Sequence, residues 1–222
     1  MKAYKYILFD LDGTLTDPKE GITKCVQYAL SHFDIHVDDL DTLTPFIGPP
    51  LDESFIKFYG LSKEDANKAV TLYRERFRKS GMLENKVISG IPEVLSNLRD
   101  HGMTLHVATS KPTVFASEIL KNFNLDHYFE SIVGSNLDGT RSAKKEIIDF
   151  IMQQQNLSSQ EVVMIGDRMH DIIGAKKVNV DSVGVTFGYG SEEELSDAGA
   201  TYIVHGPEEL EALLLQDKLY IV

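Results

Sequence analysis

Six short runs along this chain are apolar at nearly every position: Tyr6–Phe9, Thr104–Ala108, Ser131–Gly134, Val162–Ile165, Ser182–Val185 and Thr201–Val204. Strands covered on both faces of a parallel sheet carry this pattern, because neither side of the pleat meets water. Between them the apolar positions recur at spacings of three and four. Val94, Leu95 and Leu98 share one face of a helix predicted over Pro92–His101, with Pro92 at its start and Gly102 just past its end. Phe115, Ile119 and Phe123 do the same over Val114–Phe123, as do Ile147, Ile148 and Ile151 over Lys144–Gln155. Strand and helix in alternation predict the α/β class, with a Rossmann-like doubly wound parallel sheet.

Residues 18–86 break the alternation. Ile22–Phe33 and Lys63–Lys79 are helix-patterned, no strand-like run lies between them, and Pro45-Phe-Ile-Gly-Pro-Pro50 reads as a turn or loop. A helical stretch of about 70 residues is too long for a crossover connection. The pattern therefore predicts residues 18–86 as an inserted helical subdomain, a lid over the strand ends, and 1–17 with 87–222 as the α/β core.

Charge narrows the range of partners. The 22 Lys+Arg residues stand against 34 Asp+Glu, a formal net charge of −12, which disfavours a protein that grips polymeric nucleic acid. No apolar run approaches the roughly 18 residues that span a bilayer, so no membrane partner is expected. The first apolar stretch is too short and too soon followed by acid for a secretory signal. One cysteine, Cys25, leaves no internal disulfide and fits a reducing compartment. The expectation is a cytoplasmic globular protein; its oligomeric state leaves no mark in the sequence.

Candidate chemistry gathers at strand ends. The first strand runs into Asp10-Leu-Asp12-Gly13, two carboxylates one residue apart and so directed to one side. Doubly wound sheets bind ligands outside the carboxyl ends of their strands. The second core strand ends in Ala108-Thr109-Ser110-Lys111-Pro112, where hydroxyls and the next helix's amides are available to an anion. The fourth ends in Gly166-Asp167 with Asp171 four residues on, within reach of one helical turn. Four converging aspartates repel one another and favour proton uptake, or a hard divalent cation with oxygen ligands, for which Mg²⁺ is the natural choice. Lys144 and Lys145 sit with Arg141 near a helix start, capped in this reading by Ser142, where cations oppose the helix dipole. An anionic substrate would give such a lysine a partner.

Taken in order, Asp10-Leu-Asp12-Gly-Thr, the Thr109 strand end, Lys144 and Gly166-Asp167 with Asp171 resemble the haloacid dehalogenase-like hydrolase superfamily over essentially the whole chain. Phe46–Leu51, Asn85–Val87, Met164–Ala175 and Gly188–Ser191 resemble its phosphoglycolate phosphatase-like branch, closest to bacterial 5′-nucleotidase-like members. The resemblance implies a Mg²⁺-dependent phosphatase acting on a small phosphorylated metabolite, a nucleoside 5′-monophosphate or phosphoglycolate. Asp10 would be the nucleophile that forms an aspartyl-phosphate and also a metal ligand. Asp12 would protonate the leaving oxygen and then activate water, its carbonyl on the metal. Thr109 and Ser110 would hold phosphoryl oxygens, and Lys144, favoured over Lys145 by its offset from Ile147-Ile148, would neutralise their charge. Asp167 would bind the metal, with Asp171 as a ligand or a neighbour of one. Dehalogenases of the superfamily lack an acid at the position of Asp12, because halide needs no proton, so Asp12 favours a phosphatase or a sugar-phosphate mutase. A non-catalytic binding module is the third reading. One departure is Ser89 before Gly90, where relatives often carry Pro; it bears on the hinge of the insert.

Other signals are weaker. His32 and His36 are four apart, half of a zinc pattern without a third ligand. His170 lies inside the acidic motif. Cys25 falls on an apolar helix face. Tyr73 and Phe77 read as core of the insert beside Arg74, Arg76 and Arg78, one of which is a candidate for facing substrate. Glu192–Glu194 reads as a solvated helix start after Ser191.

Overall fold

A computed structural model describes residues 3–216. The chain divides into two compact units, one of residues 1–16 and 87–222 and one of residues 17–86. The larger unit holds a parallel six-stranded sheet of β1 (Tyr6–Phe9), β4 (Thr104–Pro112), β5 (Phe129–Ser135), β6 (Val162–Gly166), β7 (Asp181–Val185) and β8 (Tyr202–Val204). Two short strands, β2 (Thr16–Asp17) and β3 (Lys86–Val87), pair where the chain passes between units. The sheet order β5-β4-β1-β6-β7-β8 is the doubly wound Rossmann order, whose direction reverses between β1 and β6.

Helices α4 (Ile91–Asp100), α5 (Thr113–Asn122), α6 (Lys144–Gln155), α7 (Met169–Lys176), α8 (Glu192–Ala198) and α9 (Pro207–Leu215) complete this unit. Ile7, Leu8 and Phe9 are all fully buried, as a central strand covered on both faces requires. Leu8, Val162 and Met164 pack with Ile147, Ile148 and Ile151 of α6. The central strands are therefore fixed by burial, and their C-terminal ends become rigid mounts for side chains. Strand β4 runs to Pro112, four residues past the predicted end, and α9 carries no sequence forecast. Ser142 does not cap α6: the N-cap is Ala143, with no side-chain bond.

The smaller unit is helical: α1 (Lys19–Ser31), a 3₁₀ turn over Leu40–Phe46, α2 (Leu51–Tyr59) and α3 (Lys63–Arg76), which continues into one π turn over Phe77–Gly81. Helix α2 is an addition to the sequence reading, begun after Pro50 and ended by Gly60 in the left-handed region. Phe46 stacks edge-on against Phe55 at 5.0 Å. Among the described residues no helix is long and apolar enough to cross a membrane.

Within this unit Arg76 grips Glu84 through two bonds, Nη1–Oε2 at 2.7 Å and Nη2–Oε1 at 3.0 Å, and its Nη1 lies 3.3 Å from the Cys25 sulfur. Bonding to Arg76 holds the Glu84 carboxyl below its ordinary value near 4.5. A depressed carboxylate contributes stability above its unfolded pKa and loses it as the pH falls through the folded value. Glu84→Gln is thus expected to cost about 1–2 kcal/mol at pH 7. Denaturant titrations at pH 7 and pH 3.5 should show the gap between variant and parent narrowing in acid.

Candidate active site

Asp10 directly follows β1, and its N–H donates to Ile165 O at 2.9 Å, so the β1/β6 ladder fixes its backbone. The chain then turns back on itself: Gly13 N–H bonds Thr16 O at 2.7 Å, and Leu15 and Thr16 both donate to Leu11 O. Gly13 makes this possible at φ +81°, and a Cβ there would sit 2.1 Å from Asp167 Oδ2. The turn leaves Asp10 and Asp12 buried at the sheet's reversal point.

Across that point Asp167 follows β6, fully buried. Its Oδ2 accepts the Tyr189 N–H at 2.7 Å, while Oδ1 has no hydrogen-bond partner. Asp171 lies in the first turn of α7, where its Oδ2 accepts the Arg168 N–H at 3.2 Å. Carboxylate oxygens of Asp10, Asp167 and Asp171 all fall within 4.8 Å of one another.

Lys144, at the start of α6, is buried and reaches into this cluster. Its Nζ is 2.9 Å from Asp10 Oδ1 and 2.7 Å from Asp171 Oδ1, and it donates to Ala108 O at 2.9 Å. Three acceptors match the three protons of an ammonium group. This accounts for a cation at the wrong end of a helix dipole. Burial works against its charge, yet the two carboxylates outweigh burial and hold the lysine above its usual value. Asp167 is pushed well up by burial, then by Asp171 and Asp10. Asp171 rises mainly through burial, opposed by Lys144.

Asp12 is raised by burial and pulled back mainly by Lys111, whose Nζ lies 2.9 Å from Asp12 Oδ2. Thr109 is buried on the same strand and accepts the Lys111 N–H at 3.3 Å; Ser110 beside it is half-buried. The structure therefore brings Asp10, Asp167, Asp171 and Lys144 into one contact group, with Asp12 of the turn after β1 and Lys111 of β4 paired beside it. Four carboxylates against two ammonium groups leave two formal negative charges, which one divalent cation would balance. An all-oxygen donor set with the buried, unpartnered Asp167 Oδ1 fits a hard cation.

Sequence reasoning missed three supports of this group. Lys111 stands two residues past Thr109, but a bulge in β4 sets its direction, so strand alternation did not reveal it. The Tyr189 amide comes from a loop after β7 and has no side-chain signature. Glu194 is no solvated acid: its Oε1 accepts Arg168 Nε at 2.9 Å and Met169 N–H at 2.8 Å, tying α8 to the start of α7. Ser191 does cap α8, accepting from Glu194 N–H at 3.0 Å. His170 is exposed on α7, and His32 and His36 are exposed, with His36 beyond the end of α1. Cys25 is buried in the helical unit. Of the three arginines, Arg76 is committed to Glu84.

Paired aspartates just past the first strand, set against a buried lysine and further acids across the reversal point, are parts suited to phosphoryl transfer. The family model described as "Haloacid dehalogenase-like hydrolase" matches residues 7–185, and the chain belongs to that family. It is 53% identical over 192 residues to a protein of Pseudomonas aeruginosa named "5′-nucleotidase", covering 86% of this chain and 87% of that one. A Mycobacterium tuberculosis relative named "Tyrosine-protein kinase PtkA" is 36% identical over 90% of this chain and 68% of its own. A "Phosphoglycolate phosphatase" of Colwellia psychrerythraea is 29% identical over 90% of this chain and 92% of its own. Among solved structures, a "predicted phosphatase" from Clostridium acetobutylicum superposes with a TM-score of 0.94 at 53% identity, covering 96% of this chain and 99% of that one. Within the family this chain is a phosphatase, a phosphoric monoester hydrolase by class.

The crowding of carboxylates makes a stability prediction. Asp167→Asn keeps an acceptor for the Tyr189 N–H and removes one repelling charge. In EDTA at pH 7.5 it should be more stable than the parent by about 1 kcal/mol, a rise in Tm of about 2–4 °C by scanning calorimetry.

Proposed function

We propose that this chain is a Mg²⁺-dependent phosphatase that hydrolyses small phosphate monoesters through an aspartyl-phosphate on Asp10, with nucleoside 5′-monophosphates as the preferred class and phosphoglycolate-like acids next. The observation that carries the reading is Lys144 bridging Asp10 and Asp171 beside Asp167. It keeps one Asp10 oxygen engaged and leaves the other for attack. The Asp10 carboxylate attacks phosphorus while Asp12 gives a proton to the departing ester oxygen; Asp12 then takes a proton from the water that cleaves the aspartyl-phosphate. Thr109 and Ser110 hold phosphoryl oxygens, and Lys144 offsets their charge. Mg²⁺ would be held by the carboxylates of Asp10, Asp167 and Asp171 and the carbonyl of Asp12, and it supplies charge neutralisation for the phosphoryl oxygens. Residues 18–86 serve as an inserted cap, and the protein works in the cytoplasm. The nucleotide preference rests on the 53% identity to the Pseudomonas aeruginosa protein.

Phosphate release from a panel of nucleoside 5′-monophosphates, phosphoglycolate and sugar phosphates, with Mg²⁺, tests the substrate class. The nucleotides should give the highest kcat/KM, and EDTA should abolish turnover. Asp10→Asn should lower kcat by at least about 10⁴-fold without loss of folding. Near-parental turnover by that variant would refute the nucleophile assignment, and flat activity across the panel would refute the substrate class.

A further inference from the structure

Lys144 cannot serve Asp12, because its three donors are taken by Asp10, Asp171 and Ala108. The cation on Asp12 is Lys111. The ion pair is 2.9 Å long, and the two side chains are only 7% and 11% exposed. It engages a single oxygen, Oδ2; Oδ1 is buried with no hydrogen-bond partner. The two oxygens of this carboxylate are therefore unequal.

The strand is shaped to deliver this lysine. Ala108 pairs with Val133 and Pro112 with Ser135 on β5, so β4 carries extra residues over the interval that contains Lys111. Such a bulge re-aims side chains. The partner residue at the bulge is Gly134, where a Cβ would stand 2.1 Å from Lys111 O and 3.0 Å from Thr113 N. Only a glycine admits the bulged backbone so close, and the Lys111 N–H is further tethered to Thr109 Oγ1.

We infer that Lys111 is a positioning residue for the proton transfer: it clamps Oδ2 of Asp12 so that Oδ1 alone carries the proton to the leaving group. The inference rests on the reading of Asp12 as the acid. In the step, a bond forms between an Asp10 oxygen and phosphorus as the phosphorus–ester oxygen bond breaks, and the Oδ1 proton passes to that oxygen, releasing an alcohol. The Asp12 carboxylate left behind forms with Lys111 the ion pair seen in the structure. Without the clamp the carboxyl group rotates, and the productive orientation is populated only part of the time.

Leaving groups separate this role from a merely structural one. A p-nitrophenolate departs without a proton, whereas the alkoxide of a nucleoside 5′-monophosphate needs one. The test is single-turnover phosphoryl transfer, by rapid quench with Mg²⁺, for Lys111→Met and Lys111→Gln on both substrates, with Asp12→Asn alongside. Either lysine variant that folds should slow transfer from the nucleotide by about 100-fold and from p-nitrophenyl phosphate by less than about 5-fold. Equal losses on the two substrates, or no loss, would overturn the inference. If Asp12→Asn also lacks this selectivity, the acid assignment itself falls; if it shows the selectivity and the lysine variants do not, only the role of Lys111 falls.

Discussion

Four carboxylates buried around two lysines are the constraint on which the rest of this structure depends. Asp10, Asp12, Asp167 and Asp171 are held by the sheet, a glycine turn and a helix start, and none can relax into water. Burial of unpaired charge costs several kcal/mol per ion, so the fold must bring compensation to the same place. Lys144 crosses from α6 to join Asp10 and Asp171, and Lys111 reaches from β4 to Asp12. The residual negative charge fits the divalent cation proposed for this site. Function here is a local conflict held in place by a rigid scaffold.

That locality reconciles the net charge of −12 with an anionic substrate. Long-range repulsion from the surface is screened over about 8–10 Å in physiological salt. The field inside the site is set by Lys111, Lys144 and the strand-end amides, which are close and poorly screened. The small phosphate ester proposed as substrate would meet this focus.

How much of this was readable beforehand follows the range of the interactions. Burial on both faces marks β1 and β6 with unbroken apolar runs, so the places of Asp10, Asp12 and Asp167 at strand ends were legible from periodicity, while their roles came only from the family resemblance. Asp171 followed from helical spacing, and Lys144 from its violation of the dipole rule. Lys111 was in plain view, but its direction depends on a bulge in β4 against β5, a tertiary event without local signature. The Tyr189 amide and the Glu194 strut reach the site from the loop after β7 and from α8, and no spacing along the chain announces them. Ser142 failed as a cap because the backbone enters α6 through Ala143. In the helical unit, α2 hid behind the prolines that precede it.

The central claim is that this buried charge is organised around Asp10 as the atom that takes the phosphoryl group. The most direct measurement is a rapid acid quench of Mg²⁺-loaded enzyme with substrate, followed by peptide mapping by mass spectrometry. The account predicts one phosphoryl group on the peptide that carries Asp10, appearing before free phosphate and absent from the Asp10→Asn variant. A phosphoryl group on any other residue, or phosphate release with no labelled peptide at any time in the transient, would contradict it.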